Sequence, residues 1–459
     1  MARWILGDIV EAVGGKLTSG SADTKIHGVS TDTRSLKEGD LFVALKGDRF
    51  DGHDFLNDAV SKGAVAVMVS GAAVLKEPTA ATVVVDDTLS GLQRFARWHR
   101  LSFNVPVIGV TGSCGKTTVK ELIAAVLGTT FSVTRNPLSF NNAVGVPLSL
   151  LEISADTEVA VIEVGTNAPG EIRALCDIAR PNRALITNVG RAHLEGFGTL
   201  EAVAKEKGAL VDAVGDGGTF YVNVDNPFCV RIAESFTGNR VTYGTEETAA
   251  WRATGIESKL DAARSTFRVE QLGPFAVPLL GSHNVMNALA AVVVGADFGL
   301  SRDKIQEGLD GAETPPMRMR RVRKGGRVFL NDAYNANPES MRAAIDALVS
   351  WEGAGRRIAV LGDMLELGEA SASEHEELGR IAATRGVDLI LVLGQFARNV
   401  AKGATGENMG GDAVTVCKDH ADAARLLASK SAPGDVVLIK GSRAVAMEKV
   451  LEEFDSLLA

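Results

Sequence analysis

The sequence predicts an α/β protein of three domains: a small N-terminal domain, a central domain with a parallel sheet and a phosphate-binding loop, and a third domain with a layered sheet. Three observations lead to this prediction. The chain has 459 residues, enough for roughly three domains of about 150 residues each. Hydrophobic residues make up 46% and charged residues 23%, as in folded globular proteins. Short β-branched runs alternate with helical segments, which is typical of parallel sheets covered on both faces.

Composition also limits the partners and the compartment. The formal net charge of −9 gives no electrostatic reason to expect nucleic acid or an anionic membrane as a partner. The four cysteines are scattered and form no C-x-x-C pair, so neither a disulfide framework nor a zinc site is indicated. Asp8 and Glu11 interrupt the start of the chain, which argues against a signal peptide or an anchor. We expect a cytoplasmic protein without nucleic-acid binding or membrane insertion.

Residues 1–86 are predicted to form the small N-terminal domain, with strands at Leu41–Leu45 and Val65–Val69 around a helix at Asp54–Lys62. Its polar residues gather in two segments, where hydroxyls and cations could hold a phosphorylated ligand. The alternative is a pair of solvated turns, since turns collect these residue types anyway. The candidate residues are Ser30, Asp32, Thr33, Arg34, Lys46 and Gly47.

Residues 87–312 contain the most informative stretch of the chain. The apolar run Val105–Val110 breaks at Gly112 and Gly115, and a helix-compatible sequence follows. A strand, a glycine loop and a helix N-terminus aim backbone N–H groups at one point, so this arrangement can hold the phosphates of a nucleotide. Lys116 would reach the terminal phosphates, and the Thr117 hydroxyl would bind Mg²⁺. The predicted phosphate-binding residues are Gly112, Ser113, Cys114, Gly115, Lys116, Thr117 and Thr118.

The loop departs from the general P-loop pattern. The glycine expected five places before Gly115 is replaced by Val110, and Gly109 is one position off. An ordinary glycine turn between a strand and a helix is therefore the alternative. The strand before and the helix after the loop favour phosphate binding, because they are the context that the motif needs.

Two further candidates follow strands of the same predicted sheet. Ligands of such sheets bind beyond the carboxyl ends of the strands. Glu163 ends one apolar run and His193 follows the next, so a carboxylate and an imidazole could join Thr117 around a divalent metal. Glu163 is the stronger candidate, because a carboxylate in a buried run is costly without a partner. A lone histidine is more often a capping or surface group.

Two helical segments of the central domain carry polar residues whose role the sequence does not decide. Lys205 and Lys207 lie in the amphipathic segment Glu201–Leu210 and face solvent by default. Asn284 and Asn287 lie at positions i and i+3 of a later helix. Their amides could cap the helix or hydrogen-bond a base, and spacing does not choose between the two.

Residues 313–459 are predicted to form the third domain, entered through the linker-like segment Thr314–Arg320 with its adjacent prolines. Strands alternate with helices here as well, which indicates another layered α/β sheet. Three polar segments again follow strand ends: Asp332–Asn337, Gly362–Gly368 and Lys440–Arg443.

Taken in order, these motifs resemble the Mur ligase family of peptidoglycan synthesis, and the resemblance covers nearly the whole chain. The matching segments are the glycine loop, Asn141–Pro147, Glu163–Gly170, His193, His283–Asn287 and Asp332–Pro338. The shortened loop Thr-Gly-x-x-Gly-Lys-Thr-Thr is the family's own variant, which explains the departure at Val110. The resemblance implies a UDP-binding N-terminal domain, an ATP-binding central domain and a Rossmann-like C-terminal domain.

The resemblance also implies roles for the central residues. Lys116 is expected to contact phosphate, and Thr117, Glu163 and His193 are expected to serve two magnesium ions. In this family a lysine carbamylated by CO₂ supplies a further carboxylate to the second magnesium. Lys207 best matches that lysine, and the neighbouring Lys205 is the alternative.

Further contacts are implied for ATP and for the peptide substrate. Asn284 and Asn287 are expected near the adenine, and Arg318 and Asp332 are expected to reach the phosphate and the ribose. Ser30, Asp32, Thr33, Arg34, Lys46 and Gly47 resemble the contacts to uridine and pyrophosphate. The remaining residues implied to contact substrate are Asn141, Asn142, Tyr334, Asn335 and Asn337.

The activity implied is that of an ATP-dependent amide-bond ligase. ATP would phosphorylate the terminal carboxylate of UDP-N-acetylmuramoyl-tripeptide, and the amine of D-alanyl-D-alanine would attack the acyl phosphate. The alternative within the family is the ligase for the third amino acid, but its Asp-Asn-Pro-Arg motif does not occur in this sequence. Gly362–Gly368 and Lys440–Ala444 are typical of the D-alanyl-D-alanine enzyme.

Two alternatives lie outside the ligases. One is a nucleotide-dependent switch, in which hydrolysis only changes conformation, and the other is a phosphate-binding protein without catalysis. The polar clusters at strand ends in all three regions argue against a switch, and the metal-ligand candidates beside the loop argue against a non-catalytic protein. We expect a monomer.

Overall fold

The computed structural model describes residues 3–47, 49–71, 80–259, 263–313, 316–351 and 355–458. Thr314 and Pro315 of the predicted linker lie outside these ranges. The chain divides into two compact units. Unit 1 comprises Met1–Gly109, Thr134–Val164 and Arg173–Pro181, and unit 2 comprises Val110–Val133, Gly165–Ile172 and Asn182–Ala459. The three domain boundaries expected from the sequence stay a prediction.

Up to residue 181 the chain alternates strands with helices. The strands are β1 (Trp4–Ile5), β2 (Lys16–Ser19), β3 (Lys25–Ile26), β4 (Gly28–Ser30), β5 (Asp40–Val43), β6 (Ala66–Ser70), β7 (Ala81–Val85), β8 (Val107–Thr111), β9 (Val133–Arg135) and β10 (Val159–Glu163). The helices are α1 (Leu6–Val13), α2 (Leu56–Ser61), α3 (Thr88–Leu101), α4 (Lys116–Leu127), α5 (Gly145–Leu150) and α6 (Glu171–Ala179), and Gly52–Phe55 is a 3₁₀ turn.

The same alternation continues from residue 182. The strands are β11 (Arg183–Ile186), β12 (Thr219–Asn223), β13 (Asn239–Gly244), β14 (Trp251–Lys259), β15 (Arg264–Val269), β16 (Gly273–Val277), β17 (Arg320–Lys324), β18 (Arg327–Asp332), β19 (Arg357–Leu361), β20 (Leu389–Val392), β21 (Val414–Val416) and β22 (Val436–Lys440). The helices are α7 (Leu194–Phe197), α8 (Leu200–Val214), α9 (Pro227–Glu234), α10 (Ser282–Asp297), α11 (Arg302–Gly311), α12 (Pro338–Val349), α13 (Ser371–Thr384), α14 (Ala397–Gly406), α15 (His420–Lys430) and α16 (Glu448–Leu458), with 3₁₀ turns at Gly368–Ala370, Gly411–Ala413 and Arg443–Val445.

Unit 1 is built on a five-stranded sheet of order β2-β7-β6-β5-β4. Strands β4 to β7 are parallel, and β2 pairs antiparallel with β7. The apolar runs in β5 and β6 supply Phe42, Val67 and Val69 to a buried cluster that also contains Leu56 of α2. Because β4 and β5 are adjacent and parallel, the segments after their carboxyl ends, which carry the N-terminal candidate residues, meet at one edge of the sheet.

In unit 2, β11 to β14 are successive parallel neighbours, which agrees with the parallel sheet predicted for the central domain, although β13 and β14 were not predicted individually. Strands β15 and β16 add an antiparallel extension that was not expected from the sequence pattern. Buried and more exposed side chains alternate along Arg264–Val269, which is typical of an antiparallel strand with one wet face.

The C-terminal part of unit 2 is a six-stranded sheet of order β17-β18-β22-β19-β20-β21. Only β17 among these strands runs antiparallel to its neighbour. Successive residues of each strand face opposite sides. Leu330 and Leu438 therefore enter one apolar cluster with α12 and α13, and Phe329 and Val437 enter another with α15 and α16. Both faces are covered, as predicted for a layered α/β sheet.

Two further features of the described residues concern membrane-spanning helices and the cysteines. No helix within the described ranges is long and apolar enough to cross a membrane. In the described chain the four cysteines are free thiols, with Cys176, Cys229 and Cys417 buried and Cys114 half-buried.

Candidate active site

The glycine loop between β8 and α4 is braced by the segment after β11. The Asn188 side-chain oxygen accepts the N–H of Cys114, and its backbone oxygen accepts the N–H of Ser113, both at 3.0 Å. The Ser113 hydroxyl donates to the Gly190 carbonyl oxygen at 3.0 Å and accepts the Gly190 N–H at 2.8 Å. Thr187 donates its hydroxyl to the Cys114 carbonyl oxygen at 2.5 Å. These bonds fix the loop backbone in a shape suited to phosphate.

Two glycines of the loop are required by its conformation and by close contacts. Gly112 has φ +149°, and a Cβ there would lie 1.9 Å from Thr187 Oγ1. Gly115 has φ +81° as the N-cap of α4, and a Cβ there would lie 2.6 Å from Asn287 Oδ1. The loop thus passes close to its neighbours, and its last glycine delivers the chain into the N-terminus of α4, where anions bind.

Lys116 and Thr117 begin α4, as the sequence predicts. Lys116 donates its ammonium to the Gly112 carbonyl oxygen at 2.7 Å, across its own loop. Thr117 is buried, and Arg318 donates from Nη2 to the Thr117 hydroxyl oxygen at 3.0 Å. The structure therefore brings Arg318 onto the glycine loop from a distant part of the sequence.

Asn337 also contacts the glycine loop. The Cys114 thiol donates to Asn337 Oδ1 at 3.1 Å, and Asn337 Nδ2 donates to the Ser113 carbonyl oxygen at 3.4 Å. Asn337 is at the same time the N-cap of α12 in a capping box with Ser340. Burial raises the pKa of the Cys114 thiol, so this thiol stays protonated and can donate.

Arg318 projects from an unusual turn beside β18. Its neighbours Met317 and Met319 both have left-handed backbone angles, with φ 57° and φ 51°. Asp332 Oδ1 accepts the Met319 N–H at 3.0 Å, and Asp332 Oδ2 contacts the Lys440 ammonium at 2.5 Å. Lys440 is buried and also donates to the Asn335 carbonyl oxygen at 3.0 Å.

Tyr334 and Arg318 also meet, because the Arg318 guanidinium lies over the Tyr334 ring, 4.1 Å from its centroid. The predicted residues Arg318, Asp332, Tyr334, Asn335 and Asn337 are thus joined by contacts in unit 2.

Asn284 and Asn287 are buried in the first turns of α10. Asn284 Nδ2 donates to the Leu280 carbonyl oxygen at 2.8 Å, and Asn287 Nδ2 donates to Asn284 Oδ1 at 3.0 Å. Neither of these bonds caps an N–H group at the start of α10, so the capping role is not the one that the structure shows. The pair instead approaches the glycine loop through Gly115.

The structure separates the two candidate lysines of α8. Lys207 is 1% exposed, whereas Lys205 is exposed. Burial, and then the positive charge of Lys116, lower the pKa of Lys207 to about 7. Lys207 therefore lies near the loop lysine, and much of it is a neutral amine near pH 7. The default expectation that both lysines face solvent is wrong for Lys207.

Glu206, beside Lys207, has a structural role that the sequence did not indicate. Its buried carboxylate accepts the backbone N–H groups of Gly170 at 2.7 Å and Ile172 at 2.8 Å. It thereby fixes the loop Gly165–Gly170 and the first turn of α6.

His193 follows β11, as predicted, in a left-handed conformation with φ 57° at the start of α7. Its Nδ1 lies 2.5 Å from Glu366 Oε2, and this contact with His193 lowers the pKa of Glu366. The neighbouring Arg191 donates its backbone N–H to Glu339 at 2.9 Å and its guanidinium to Glu374 at 3.0 Å. The loop after β11 is therefore held by three acidic residues from the C-terminal sequence.

In unit 1, Glu163 is the last residue of β10 and is 1% exposed. Asn141 Nδ2 donates to Glu163 Oε1 at 2.7 Å, and Asn136 bonds to both the N–H and the carbonyl oxygen of Glu163. The buried carboxylate thus has the partner that its burial requires. Asn142 accepts the N–H of Gly145 at 2.8 Å, so it also supports the start of α5.

The N-terminal candidates of unit 1 surround the end of β4. Arg34 forms a two-pronged contact with Asp32, which lowers the Asp32 pKa to about 2. Ser30 is buried and bonds the backbone of Asp32, while the Thr33 side chain hydrogen-bonds Asp58. The Arg34 side chain is 88% exposed, so it can meet an anionic ligand.

Lys46 and Gly47 follow the neighbouring strand β5. The Lys46 side chain is 78% exposed, and Gly47 donates its N–H to the Phe50 carbonyl oxygen at 2.9 Å. A second exposed cation therefore follows the strand adjacent to β4.

A metal site made of protein side chains alone is not evident. Among the described residues, no group of three His, Cys, Asp or Glu side chains could hold a metal ion. The ligand set implied by the resemblance does not depend on such a group, since it also uses the hydroxyl of Thr117 and a carboxylate formed on Lys207. The buried Lys207 with its lowered pKa fits that requirement, because only a neutral amine reacts with CO₂.

Several supporting residues were missed by the sequence analysis. Thr187 and Asn188 directly follow β11, and the rule that selected His193 also applies to them. Lys440 is the last residue of β22 and opens the polar segment Lys440–Arg443, which the sequence pointed out without a role for the lysine itself. Glu206 gave no such signal, because a charged residue in an amphipathic helix is expected to face solvent.

Comparison with known proteins places this architecture in a class. Three family models match in order: "Mur ligase family, catalytic domain" at residues 25–100, "Mur ligase middle domain" at 110–295, and "Mur ligase, glutamate ligase domain" at 317–443. The chain belongs to the Mur ligase family. The predicted α/β fold class, with the three-domain Mur ligase fold, is thereby confirmed.

Two curated relatives with high coverage carry the same name. UDP-N-acetylmuramoyl-tripeptide–D-alanyl-D-alanine ligase of Bacillus subtilis is 36% identical, with 99% of this chain and 98% of the relative covered. The ligase of the same name from Escherichia coli is 35% identical, with 97% of each covered. A crystal structure of MurF from Acinetobacter baumannii superposes with a TM-score of 0.89 at 31% identity, covering 99% of both chains.

Proposed function

We propose that this protein catalyses the ATP-dependent addition of D-alanyl-D-alanine to UDP-N-acetylmuramoyl-tripeptide, in the synthesis of peptidoglycan precursors. The relatives that share more than a third of their residues with this chain over nearly its full length bear the name of that reaction. The structural observation that carries the proposal is the braced glycine loop, with Arg318 donating to Thr117 and Lys207 buried nearby.

The residues of unit 2 suit the handling of a phosphorylated intermediate. Backbone N–H groups of the loop and the Lys116 ammonium would hold phosphate, and Arg318 would add a second cation. Magnesium, when bound, supplies charge neutralisation during phosphoryl transfer. No side-chain nucleophile is needed, because positioning and charge neutralisation carry such a reaction.

Further site assignments stay proposals. Thr117, His193, Glu163 and Lys207 are the proposed magnesium ligands, and Asn284 and Asn287 would lie near the adenine, with Asp332 at the ribose. The proposed substrate contacts are Ser30, Asp32, Thr33, Arg34, Lys46, Gly47, Asn141, Asn142, Tyr334, Asn335 and Asn337. We also propose a cytoplasmic location and a monomeric state.

We propose Lys207, rather than Lys205, as the carbamylated lysine. The neutral amine would attack CO₂, form an N–C bond and release one proton, which gives a carbamate. A pKa of about 7 leaves the neutral amine abundant at neutral pH, and the charge of Lys116 would stabilise the carboxylate formed. Lys205 is exposed to solvent and lacks the buried surroundings of Lys207.

The first experiment tests the reaction itself. Purified protein is supplied with ATP, Mg²⁺, the UDP-linked tripeptide and D-alanyl-D-alanine, and ADP release is measured. We expect turnover only when both substrates are present, and we expect Lys116→Ala to abolish it while leaving the melting transition unchanged, because the phosphate loses its cation. Rapid ADP release without D-alanyl-D-alanine would favour a switch, and undiminished turnover of Lys116→Ala would refute the proposal.

The second experiment tests the carbamate. Lys207→Ala should lose activity, and short carboxylates such as acetate or propionate should restore part of it by filling the cavity. Lys205→Ala is the matched control and should keep its activity. If carboxylates rescued Lys205→Ala instead, the carbamate would belong to that lysine.

One other member of the family deserves a direct comparison. The ligase that adds the third amino acid uses a shorter acceptor, so the same assay with UDP-N-acetylmuramoyl-dipeptide and a single amino acid distinguishes the two activities. We expect no ADP release with that pair. Supplying tripeptides that end in lysine or in diaminopimelate then identifies the natural acceptor.

A further inference from the structure

The backbone on both sides of Arg318 is held in a conformation that is costly for these residues. Met317 and Met319 have φ 57° and φ 51°. Residues other than glycine rarely adopt such angles, and they persist only where surrounding contacts determine them. The turn around Arg318 must therefore be stabilised from outside itself.

Three contacts supply that stabilisation. Tyr334 donates its backbone N–H to the Met317 carbonyl oxygen at 3.1 Å, which holds the start of the turn. Asp332 Oδ1 accepts the Met319 N–H at 3.0 Å, which holds its end. The Tyr334 ring lies under the Arg318 guanidinium, 4.1 Å away, and guides the side chain outward.

Asp332 can perform this task only if its carboxylate keeps one orientation. Lys440 provides the constraint, because its ammonium contacts Asp332 Oδ2 at 2.5 Å and donates to the Asn335 carbonyl oxygen at 3.0 Å. Lys440 is 2% exposed, and a buried ammonium requires such partners. The other carboxylate oxygen then faces the Met319 N–H.

We propose that Lys440 is a positioning residue for Arg318, acting through Asp332 and the backbone of Met319. The buried lysine orients the carboxylate, the carboxylate holds the turn, and the turn delivers the guanidinium to within 3.0 Å of Thr117 Oγ1. Lys440 thereby sets the position of a cation on the glycine loop without itself bonding to Arg318. This inference rests on the proposed ATP-dependent reaction, which supplies the assay.

The test is a double-mutant cycle on ADP release in the full protein. Lys440→Met keeps the length of the side chain and removes its charge, and it should lower kcat by roughly 10- to 100-fold, since small misplacements of a catalytic group cost about that much. Arg318→Ala should lower kcat as well. If Lys440 acts through Arg318, adding Lys440→Met to Arg318→Ala should change kcat less than about threefold.

The control is Lys449→Met, which removes an exposed lysine in α16, the next α-helix after β22, and should leave kcat unchanged. If Lys440→Met has no cooperative melting transition, Lys440→Arg keeps the buried charge, and the same cycle is run with it. In Lys440→Arg the guanidinium should hold Asp332 less well than the ammonium does, so kcat should fall partially. This further loss should again be absent when Arg318→Ala is also present.

Multiplied losses in the double variant would overturn the inference, because they would show that Lys440 acts independently of Arg318. Full activity of a folded Lys440→Met would overturn it as well. Both results require that the wild-type protein releases ADP in this assay. A wild-type protein that releases no ADP would count against the proposed function instead, so the two failures can be distinguished.

Discussion

His99 is a buried side chain of unit 1 whose surroundings favour its neutral form. Its Nδ1 accepts the Trp4 indole N–H at 2.9 Å, and its Nε2 lies 2.8 Å from the Ile153 carbonyl oxygen. Burial lowers the His99 pKa from 6.5 to about 4. The neutral ring, which accepts at one nitrogen and donates at the other, is therefore the form that the fold requires.

This environment predicts a loss of stability in mild acid. The unfolded chain binds a proton at His99 below about pH 6.5, whereas the folded chain does so only near pH 4. The stability contributed by the neutral ring is present above pH 6.5 and falls as the pH drops through this window, by up to about 1.4 kcal/mol per pH unit. Urea unfolding between pH 4.5 and 7.5 measures it.

The control for this prediction is His99→Gln, which has no titrating ring at this position. The difference in unfolding free energy between wild type and variant should shrink as the pH falls. A constant difference across the range would contradict the pKa assignment.

The candidate residues at strand ends could be predicted because sequence order and a general rule about parallel sheets suffice to find them. His193 needed nothing more, whereas Lys116 and Thr117 were predicted from the glycine loop between a strand and a helix. The left-handed turn at Met317 and Met319 could not be predicted, since neither residue favours that conformation. It exists because Asp332 and Tyr334 hold it, and such contacts depend on the folded structure.

Helices α13 and α14 pack closely together at two glycines, whose lack of a side chain permits the close approach. A Cβ at Gly379 would lie 1.9 Å from the Val400 carbonyl oxygen, and one at Gly403 would lie 1.8 Å from the Glu376 carbonyl oxygen. The two helix backbones therefore approach as closely as glycine allows. Neither glycine has a positive φ, so the close packing of the two helices explains why glycine occupies these positions.

Gly379→Ala should consequently destabilise the protein, although alanine is the better helix former. The added methyl group must push the helices apart, which costs about 1–3 kcal/mol or more and outweighs the gain of roughly 1 kcal/mol in helix propensity. Thermal unfolding by circular dichroism measures the change.

The matched control is Gly406→Ala in α14, where an added Cβ would meet nothing within 4 Å. It should leave stability unchanged or raise it slightly. If both variants behaved alike, close backbone packing would not be the role of Gly379.

For the molecule as a whole, hydrophobic periodicity predicted the layered α/β architecture but not the antiparallel extension of β14 to β16. Apolar runs identify buried parallel strands, because both faces of such strands are covered. The alternating strands β15 and β16 give a weaker pattern, and their pairing is set by neighbours. The resemblance to one family added a prediction that periodicity alone does not give, namely which ligands bind at the strand ends.

The state of the native thiols has a practical consequence for spectroscopy. Burial raises the pKa of Cys229 to about 12 and of Cys417 to about 11, and it raises the pKa of the half-buried Cys114, while Cys176 is buried. Thiols that remain protonated react slowly with maleimides at neutral pH. A cysteine introduced at an exposed position should thus take up a fluorophore selectively in the otherwise native sequence, so that ligand-dependent motions can be followed by fluorescence without first removing the thiol of the phosphate-binding loop.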